Sequence, residues 1–296
     1  MSMTNRTCAL IITYNRIDLL KECIAAIKKQ YIIPNEIVVV NNASTDATQH
    51  WLDQQSDLTV LTLTTNEGPA KAFAFGFNYG IKAGFEWIWC MDDDTIPTPG
   101  ALSALLDFYH KLSEQDQRNI GFLVSEVLWT DNSIYVGNLP WFKKQNESNQ
   151  ILAATFVSSF YKVSSIRTIA LPRKEFFQWY VDVEYTWRIS ERFDCYYVPD
   201  SKVIHKTVEN VKVKWKNVNN QSFEKYAGGL TNYIYLIKNN VFTFSFYQRF
   251  RGFTASILRA YWYTLSNTNN KVKNLGILYY KIKSGLKMRV TDDFSN

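Results

Sequence analysis

The sequence predicts an α/β fold: a mostly parallel central sheet flanked by helices, with a helical C-terminal subdomain. Three observations predict it. Short apolar runs recur along the first half and alternate with stretches of helical periodicity. Polar clusters follow the ends of those runs, where open parallel sheets bind their ligands. Charge is divided along the chain, with 17 Lys and Arg against 23 Asp and Glu over 1–200, and 16 against 4 over 201–296.

Cys8–Thr13 is apolar enough for a strand buried on both faces. Asp18–Gln30 repeats Leu19, Leu20, Cys23, Ile24 and Ile27 on one helical side. Ile37–Val40 is β-branched and reads as the second strand. Ser44–Gln54 opens on Ser, Thr and Asp, the residues that cap helix N-termini, and is expected to be a helix. Leu58–Leu63 is a third strand, Gly68–Gly84 a helix despite its glycines, and Trp87–Met91 a fourth strand. From about 120 to 200 short strands are expected at Ile120–Val127, Ser133–Val136 and Ala153–Tyr161, with a helix near Asp182–Arg192. Helices are expected over Phe223–Asn239, Phe246–Leu265 and Val272–Lys287, the last two joined by the polar loop Asn267–Asn270.

The 296 residues, 46% of them apolar, exclude a disordered chain and a disulfide-stapled miniprotein. Four cysteines (Cys8, Cys23, Cys90, Cys195) stand singly, so no CxxC zinc or redox motif exists and a reducing compartment is expected. The opening residues hold no apolar stretch behind a basic head, so a secretion signal is not expected, and no apolar run reaches a membrane span. The basic final third is rich in aromatics, among them Phe242, Phe244, Phe246, Tyr247, Phe250, Phe253, Tyr261, Trp262 and Tyr263. That pattern fits an anionic membrane surface; a packed core or a homo-oligomer contact is the rival reading. No nucleic-acid motif accompanies it, so nucleic acid is not expected as a partner.

Trp89-Cys-Met-Asp92-Asp93-Asp94 closes an apolar strand with three acids that repel one another. A divalent cation relieves that repulsion, and hard oxygen ligands suit Mg²⁺ or Mn²⁺. In an extended segment Asp92 and Asp94 face one way and Asp93 another. The plain alternative is an acidic cap before a helix. Asp182 and Glu184 lie in aromatic surroundings near a helix start, which suits either a general base or simple dipole-complementing acids. His205 ends a β-branched run and is the one histidine placed like a ligand, although a lone histidine is more often structural. Asn-rich turns follow the first three strands; no GxGxxG and no GxxxxGK[ST] occurs.

Together these residues resemble family 2 glycosyltransferases of the GT-A fold. Ile11-Ile-Thr-Tyr-Asn-Arg16, Ile37-Val-Val-Val-Asn-Asn-Ala-Ser-Thr-Asp46, Asn66-Glu-Gly68 and the triple Asp stand in that family's order. Lys174-Glu-Phe-Phe177, Asp182-Val-Glu-Tyr185 and Tyr197-Val-Pro-Asp-Ser-Lys-Val-Ile-His-Lys206 are similar to its galactofuranosyltransferase-like and rhamnosyltransferase-like branch. The resemblance implies a catalytic domain over 1–206 and a basic, aromatic helical region over 207–296. It implies that Thr13 and Asn15 line the base pocket, Asn41 contacts the base, Asn66 and Gly68 lie near the ribose and diphosphate, and Asp92 and Asp93 belong to the donor side. Asp92, Asp94 and His205 are the implied metal ligands, Asp182 the implied base, and Glu184 the residue that orients the acceptor or that base. The implied reaction is inverting and Mn²⁺- or Mg²⁺-dependent. It moves a sugar from a nucleotide-sugar donor, UDP-galactofuranose first and dTDP-rhamnose next, to a hydroxyl of a lipid-linked cell-surface polysaccharide. The implied location is cytoplasmic, peripheral to the membrane. The alternatives are a sugar-nucleotide nucleotidyltransferase, for which the Gly-rich loop is missing, and a non-catalytic glycan-binding relic, which would have lost the acids.

Overall fold

The first strand, β1 (Thr7–Thr13), is buried along its whole length, and its side chains divide by the two-residue period of a strand. Cys8, Leu10 and Ile12 enter one apolar layer, Ala9 and Ile11 the other. Such a strand needs helices above and below it, and the chain supplies them in turn. The computed structural model describes residues 6–142, 149–210, 214–239 and 246–289. After β1 come α1 (Ile17–Lys28), β2 (Glu36–Asn41), α2 (Thr48–Leu52), β3 (Thr59–Thr62), α3 (Gly68–Lys82), β4 (Trp87–Asp92), β5 (Thr95–Pro97), α4 (Ala101–Lys111), α5 (Glu114–Asn119) and β6 (Ile120–Leu128). Then follow β7 (Trp141–Phe142), β8 (Ile151–Ala153), β9 (Ser159–Lys162), α6 (Val163–Thr168), α7 (Val181–Ser190) and β10 (Asp194–His205). A 3₁₀ turn at Trp215–Asn217 leads to α8 (Phe223–Lys238), α9 (Phe246–Asn267) and α10 (Lys271–Lys287).

Eight strands form one sheet in the order β3-β2-β1-β4-β9-β6-β10-β5. β3, β2, β1 and β4 pair in parallel, as do β6 and β10, while β9 runs against β4 and β6, and β5 against β10. The register sets Thr13 beside Asn41 and Ile12 beside Asp92, so the polar ends of β1, β2 and β4 share one edge. One face of the sheet packs on α1 and α4 through Leu20, Cys23, Ile24, Leu102 and Leu105. The other packs on α3, α6 and α7 through Phe73, Phe77, Ile166, Tyr185 and Ile189. Gly76 and Gly80 explain how α3 tolerates glycine: side chains there would strike Leu10 and Ile88, so the helix gains close contact with the sheet at about 1 kcal/mol of propensity each. All four cysteines are buried and free. α8 carries Tyr235 and Leu236 into the main core, and its Ala227, Leu230 and Ile234 meet Ala260 of α9 and Leu278 of α10.

Several expectations are corrected. α2 is only five residues long; Asp46 Oδ1 accepts the N–H of its first residue, Thr48, at 3.0 Å, but Ala47 at the N-cap position supplies no side-chain cap. The Ser and Thr expected to cap it are used elsewhere: Ser44 Oγ accepts the Asn15 N–H at 3.0 Å, and Thr45 donates its N–H to Asn15 Oδ1 at 2.7 Å. Ser133–Val136 is not a strand; Asn132 turns with a positive φ of 65°, and only an isolated bridge joins Ile134 to Leu128. The run Ala153–Tyr161 is split between β8 and β9. The triple Asp does not cap a helix, because the chain turns there into β5. Within the aromatic C-terminal third, Phe253 and Tyr261 pack inward, whereas Tyr247, Phe250, Leu258 and Trp262 face solvent. Arg249 Nη2 donates to the Lys238 carbonyl at 3.3 Å. Phe242 and Phe244 lie outside the described residues.

Candidate active site

At the end of β4 the chain brings together two acids and an imidazole from distant positions. Ligand atoms of Asp92, Asp94 and His205 all lie within 4.8 Å of one another. His205 arrives on the last residue of β10, paired with Thr95 of β5. Its Nε2 stands 3.0 Å from Asp94 Oδ1, and its Nδ1 3.0 Å from Asn138 Oδ1. Asn138 gives its amide N–H to Thr155 Oγ1, so its carbonyl oxygen is what faces Nδ1. That arrangement makes Nδ1 a proton donor and leaves Nε2 facing a carboxylate oxygen. Two lone pairs face each other there unless a proton or a cation lies between. The donor set of two carboxylates and one imidazole fits a divalent metal.

The charges around the cluster agree with that fit. Burial, then the Asp94 charge, pushes the Asp92 carboxyl up. Burial raises Asp93 to about 6, against the pull of Arg16. Asp94 is held below the ordinary range, because hydrogen bonding and charge from His205 and Arg16 outweigh its burial. Asp93 turns away from the trio: its Oδ2 accepts the Thr13 hydroxyl at 2.8 Å and its Oδ1 lies 3.3 Å from Arg16 Nη1. Arg16 Nη1 is also 2.7 Å from Asp94 Oδ2, so one guanidinium ties the two acids. Sequence reasoning missed Arg16; a cation directly after the first polar turn, opposite three acids, was the available signal. It also missed Asn138, which nothing in the sequence marks.

The asparagines of the neighbouring turns are spent on one another. Asn41, 1% exposed, donates to Gln49 Oε1 at 2.7 Å and accepts the Ser44 N–H at 3.0 Å. The Thr13 hydroxyl is likewise buried and spent on Asp93. Asn15 has a positive φ of 55° and ties its loop to Ser44 and Thr45. Asn42 donates to Asn66 Oδ1, which also accepts the Gly68 N–H, both at 3.0 Å. Gly68 takes a positive φ of 76°, and any side chain there would run into the Phe177 carbonyl, so glycine is required twice over. That close approach brings the aromatic segment before α7 against the start of α3.

Asp182 and Glu184, two residues apart on α7, have opposite environments. Glu184 is 2% exposed and paired with Arg173 Nε at 2.7 Å and Arg188 Nε at 2.8 Å. Arg188 in turn donates to the carbonyls of Ala170 and Leu171. Glu184 thus fastens α7 to the preceding loop and has no oxygen aimed at a ligand. Asp182 has no cation within ion-pair distance among the described residues; its Oδ1 accepts the Val183 N–H at 2.8 Å. Burial raises its carboxyl to about 6. The charges of Asp92 and Asp182 both act on the buried Cys90 thiol, so both carboxylates lie near β4.

The turn before α7 is strained and braced. Trp179 and Tyr180 both have φ of 63°, a left-handed conformation rare for large side chains. α8 holds it: Asn232 Nδ2 donates to the Gln178 carbonyl at 2.8 Å and to that of Trp179 at 3.0 Å, and Gly229 leaves room for the Trp179 indole. Lys225 Nζ lies 5.4 Å from the Trp179 ring centre and is held below its ordinary range by burial, then by Arg16.

A galactofuranosyltransferase of Mycolicibacterium smegmatis is 32% identical over 112 residues, 37% of either chain. An undecaprenyl-phosphate mannosyltransferase of Micrococcus luteus is 30% identical over 106 residues, 34% of this chain and 43% of the relative. These matches span less than half of the relatives' length. The structure of GalNAc-T7 with UDP, GalNAc and Mn²⁺ superposes on 80% of this chain and 48% of that one, with a TM-score of 0.59 and 14% identity. A mannosyltransferase of Pyrobaculum calidifontis with GDP-Man and Mn²⁺ superposes on 95% of this chain and 75% of that one, with a TM-score of 0.53 and 16% identity. The fold is therefore GT-A. The family model for glycosyl transferase family 2 matches residues 8–162, more than half of the chain and every strand from β1 to β9. The chain belongs to glycosyl transferase family 2.

Proposed function

We propose that this chain moves a sugar from a nucleotide-sugar donor to a hydroxyl of a carbohydrate acceptor, with inversion at the anomeric carbon. The observation that carries this reading is a pair of unlike carboxylate environments near β4. One is the Asp92, Asp94 and His205 cluster, fit for a cation; the other is Asp182, with no cation beside it. A divalent ion held by Asp92, Asp94 and His205, Mn²⁺ or Mg²⁺, would offset charge on the departing diphosphate. Asp182 takes the proton of the acceptor hydroxyl. The acceptor oxygen bonds to the anomeric carbon as that carbon's bond to the diphosphate breaks and the nucleoside diphosphate leaves. Glu184 works indirectly, fixing the helix that carries Asp182. The interlocked Asn15, Asn41, Asn42 and Asn66 hold the donor-side loops in shape, with Gly68 and Asp93 at their edge.

UDP-galactofuranose is the first donor to test and dTDP-rhamnose the second. The named activity of the mycobacterial relative supports that order. A lipid-linked acceptor at the cytoplasmic membrane face is supported by the undecaprenyl-phosphate mannosyltransferase relative and by the solvent-facing aromatics of α9. No helix among the described residues is long and apolar enough to cross a membrane. The test is release of nucleoside diphosphate across a panel of nucleotide sugars, with and without Mn²⁺. We expect metal-dependent release from one donor, and none from Asp94→Ala. Near-normal turnover by that variant in the presence of metal would rule out the metal site.

A further inference from the structure

Between the strained turn and the C-terminal helices lies a cavity of about 480 Å³. Its chemistry is the reverse of the metal end. Trp179, Tyr180, Trp215 and Tyr226 supply rings to its wall, and Lys214, Lys216 and Arg259 supply cations. No acidic side chain lines it, and among the described residues none of the three cations has a carboxylate partner. The rings are set against one another: Tyr226 meets Trp179 edge-on at 4.9 Å and Trp215 at 5.4 Å. Aromatic walls accept the apolar C–H faces of a sugar ring, and guanidinium and ammonium groups bind phosphate through charge-assisted hydrogen bonds.

Two further observations connect this cavity to the reaction. Trp179 and Tyr180 are both held in the left-handed region, and strain of this kind persists where surrounding structure imposes it, often at functional sites. The bracing by Asn232 and Gly229 of α8 is what imposes it here. Tyr180 also stands two residues before Asp182, and its phenol is pushed up to about 12 by burial, then Tyr233, then the Asp182 charge.

We propose that the cavity is an acceptor subsite for a phosphate-bearing sugar: the ring lies against Trp179 and Trp215, and the phosphate is held by Arg259 with Lys214 and Lys216. This deepens the reading of Asp182 as the base, because the subsite presents a sugar hydroxyl toward α7. Two sources share this chemistry, a sugar on a lipid diphosphate and a sugar within a phosphodiester-linked polymer.

The test is calorimetric titration of the full-length chain with its donor site filled by UDP and Mn²⁺. The probes are glucose 1-phosphate, glucose and inorganic phosphate. We expect glucose 1-phosphate to bind at least about 10-fold tighter than either other probe, the size of one or two charge-assisted hydrogen bonds. Arg259→Gln and Lys216→Gln should each weaken it several-fold with UDP affinity and Tm as in the parent, and Trp215→Ala should weaken it too with UDP affinity as in the parent. Equal binding of glucose and glucose 1-phosphate overturns the proposal, and so does unchanged binding by all three variants. Loss of binding when UDP fills the donor site also overturns it, because the probe then occupies that site. A short-chain prenyl diphosphate sugar and a glycerol-phosphate-linked sugar extend the panel; whichever binds tighter identifies the source. No turnover is read, so an inactive donor panel beside intact binding would refute the transferase reading and leave the subsite standing.

Discussion

A carboxylate held in a protein interior without a cation keeps its proton longer, and at Asp182 burial raises the group to about 6. A raised acid binds its proton more tightly folded than unfolded. Its contribution to stability is full below the ordinary carboxylate range and is lost as pH rises through about 6. At neutral pH the ionised group therefore opposes the fold, which is the condition of a base kept for chemistry. Asp182→Asn should lower turnover at least about 10²-fold and spare donor binding. The same variant should melt a few degrees higher than the parent near pH 8, a gain that vanishes near pH 4. Turnover of the parent should fall on the acid side of about 6. Equal loss of donor affinity in Asp182→Asn would move the residue to the nucleotide side. Asp93 shows the contrasting case: it is raised to a similar value, yet Thr13 and Arg16 occupy both its oxygens.

On the scale of one element, α7 is fixed at both ends of its first turn by different means. Asn232 braces the strained entry, and Glu184 locks the helix to Arg173 and Arg188. Glu184→Gln leaves two guanidinium groups without their shared anion, and breaking a buried pair of this kind costs about 3–5 kcal/mol. Urea unfolding should show that loss as a lower midpoint. An unchanged midpoint with a fall in turnover would return Glu184 to the acceptor side. The element scale also shows what the sequence can and cannot reveal. β1, β2, β4 and α1 were legible because both sheet faces are buried, so period and apolarity speak with one voice. Ser44 and Thr45 misled because the residues that cap helices also staple loops, and here a partner 29 residues upstream, Asn15, claims the serine, while Asp46 Oδ1 does accept the Thr48 N–H that opens α2. The pairing of Asp94 with His205, 111 residues apart, was legible only through the resemblance, since no local pattern encodes it. The role of Glu184 was partly legible: Arg188 stands four residues on, the spacing of a helical ion pair.

For the molecule as a whole, the uneven charge acquires a geometry. Tyr247, Phe250, Leu258 and Trp262 of α9 are 61–70% exposed and recur at helical spacing, with the exposed Arg251 among them. Solvent exposure of three large rings and a leucine on one helical side suits an interface in which apolar groups sink and cations meet anionic headgroups, at about 1 kcal/mol per basic residue. Vesicles containing anionic lipid should sediment the protein at low salt, release it at high salt, and lose it when Phe250 and Trp262 are both changed to Ser. Indifference to anionic vesicles at low salt would leave those rings to a contact between copies of the chain.

The burial of every cysteine has a practical consequence at this scale. Cys23 Sγ lies against the Asp92 carbonyl, and Cys90 sits two residues before Asp92 on the same strand. Burial pushes both thiols far above their ordinary range, so neither reacts while the fold is closed. The folded protein is thus a blank background for thiol chemistry. A single cysteine introduced on the outer face of α9 would carry a fluorophore or spin label alone, and labelling of Cys23 or Cys90 would report that the strand end bearing Asp92 had opened.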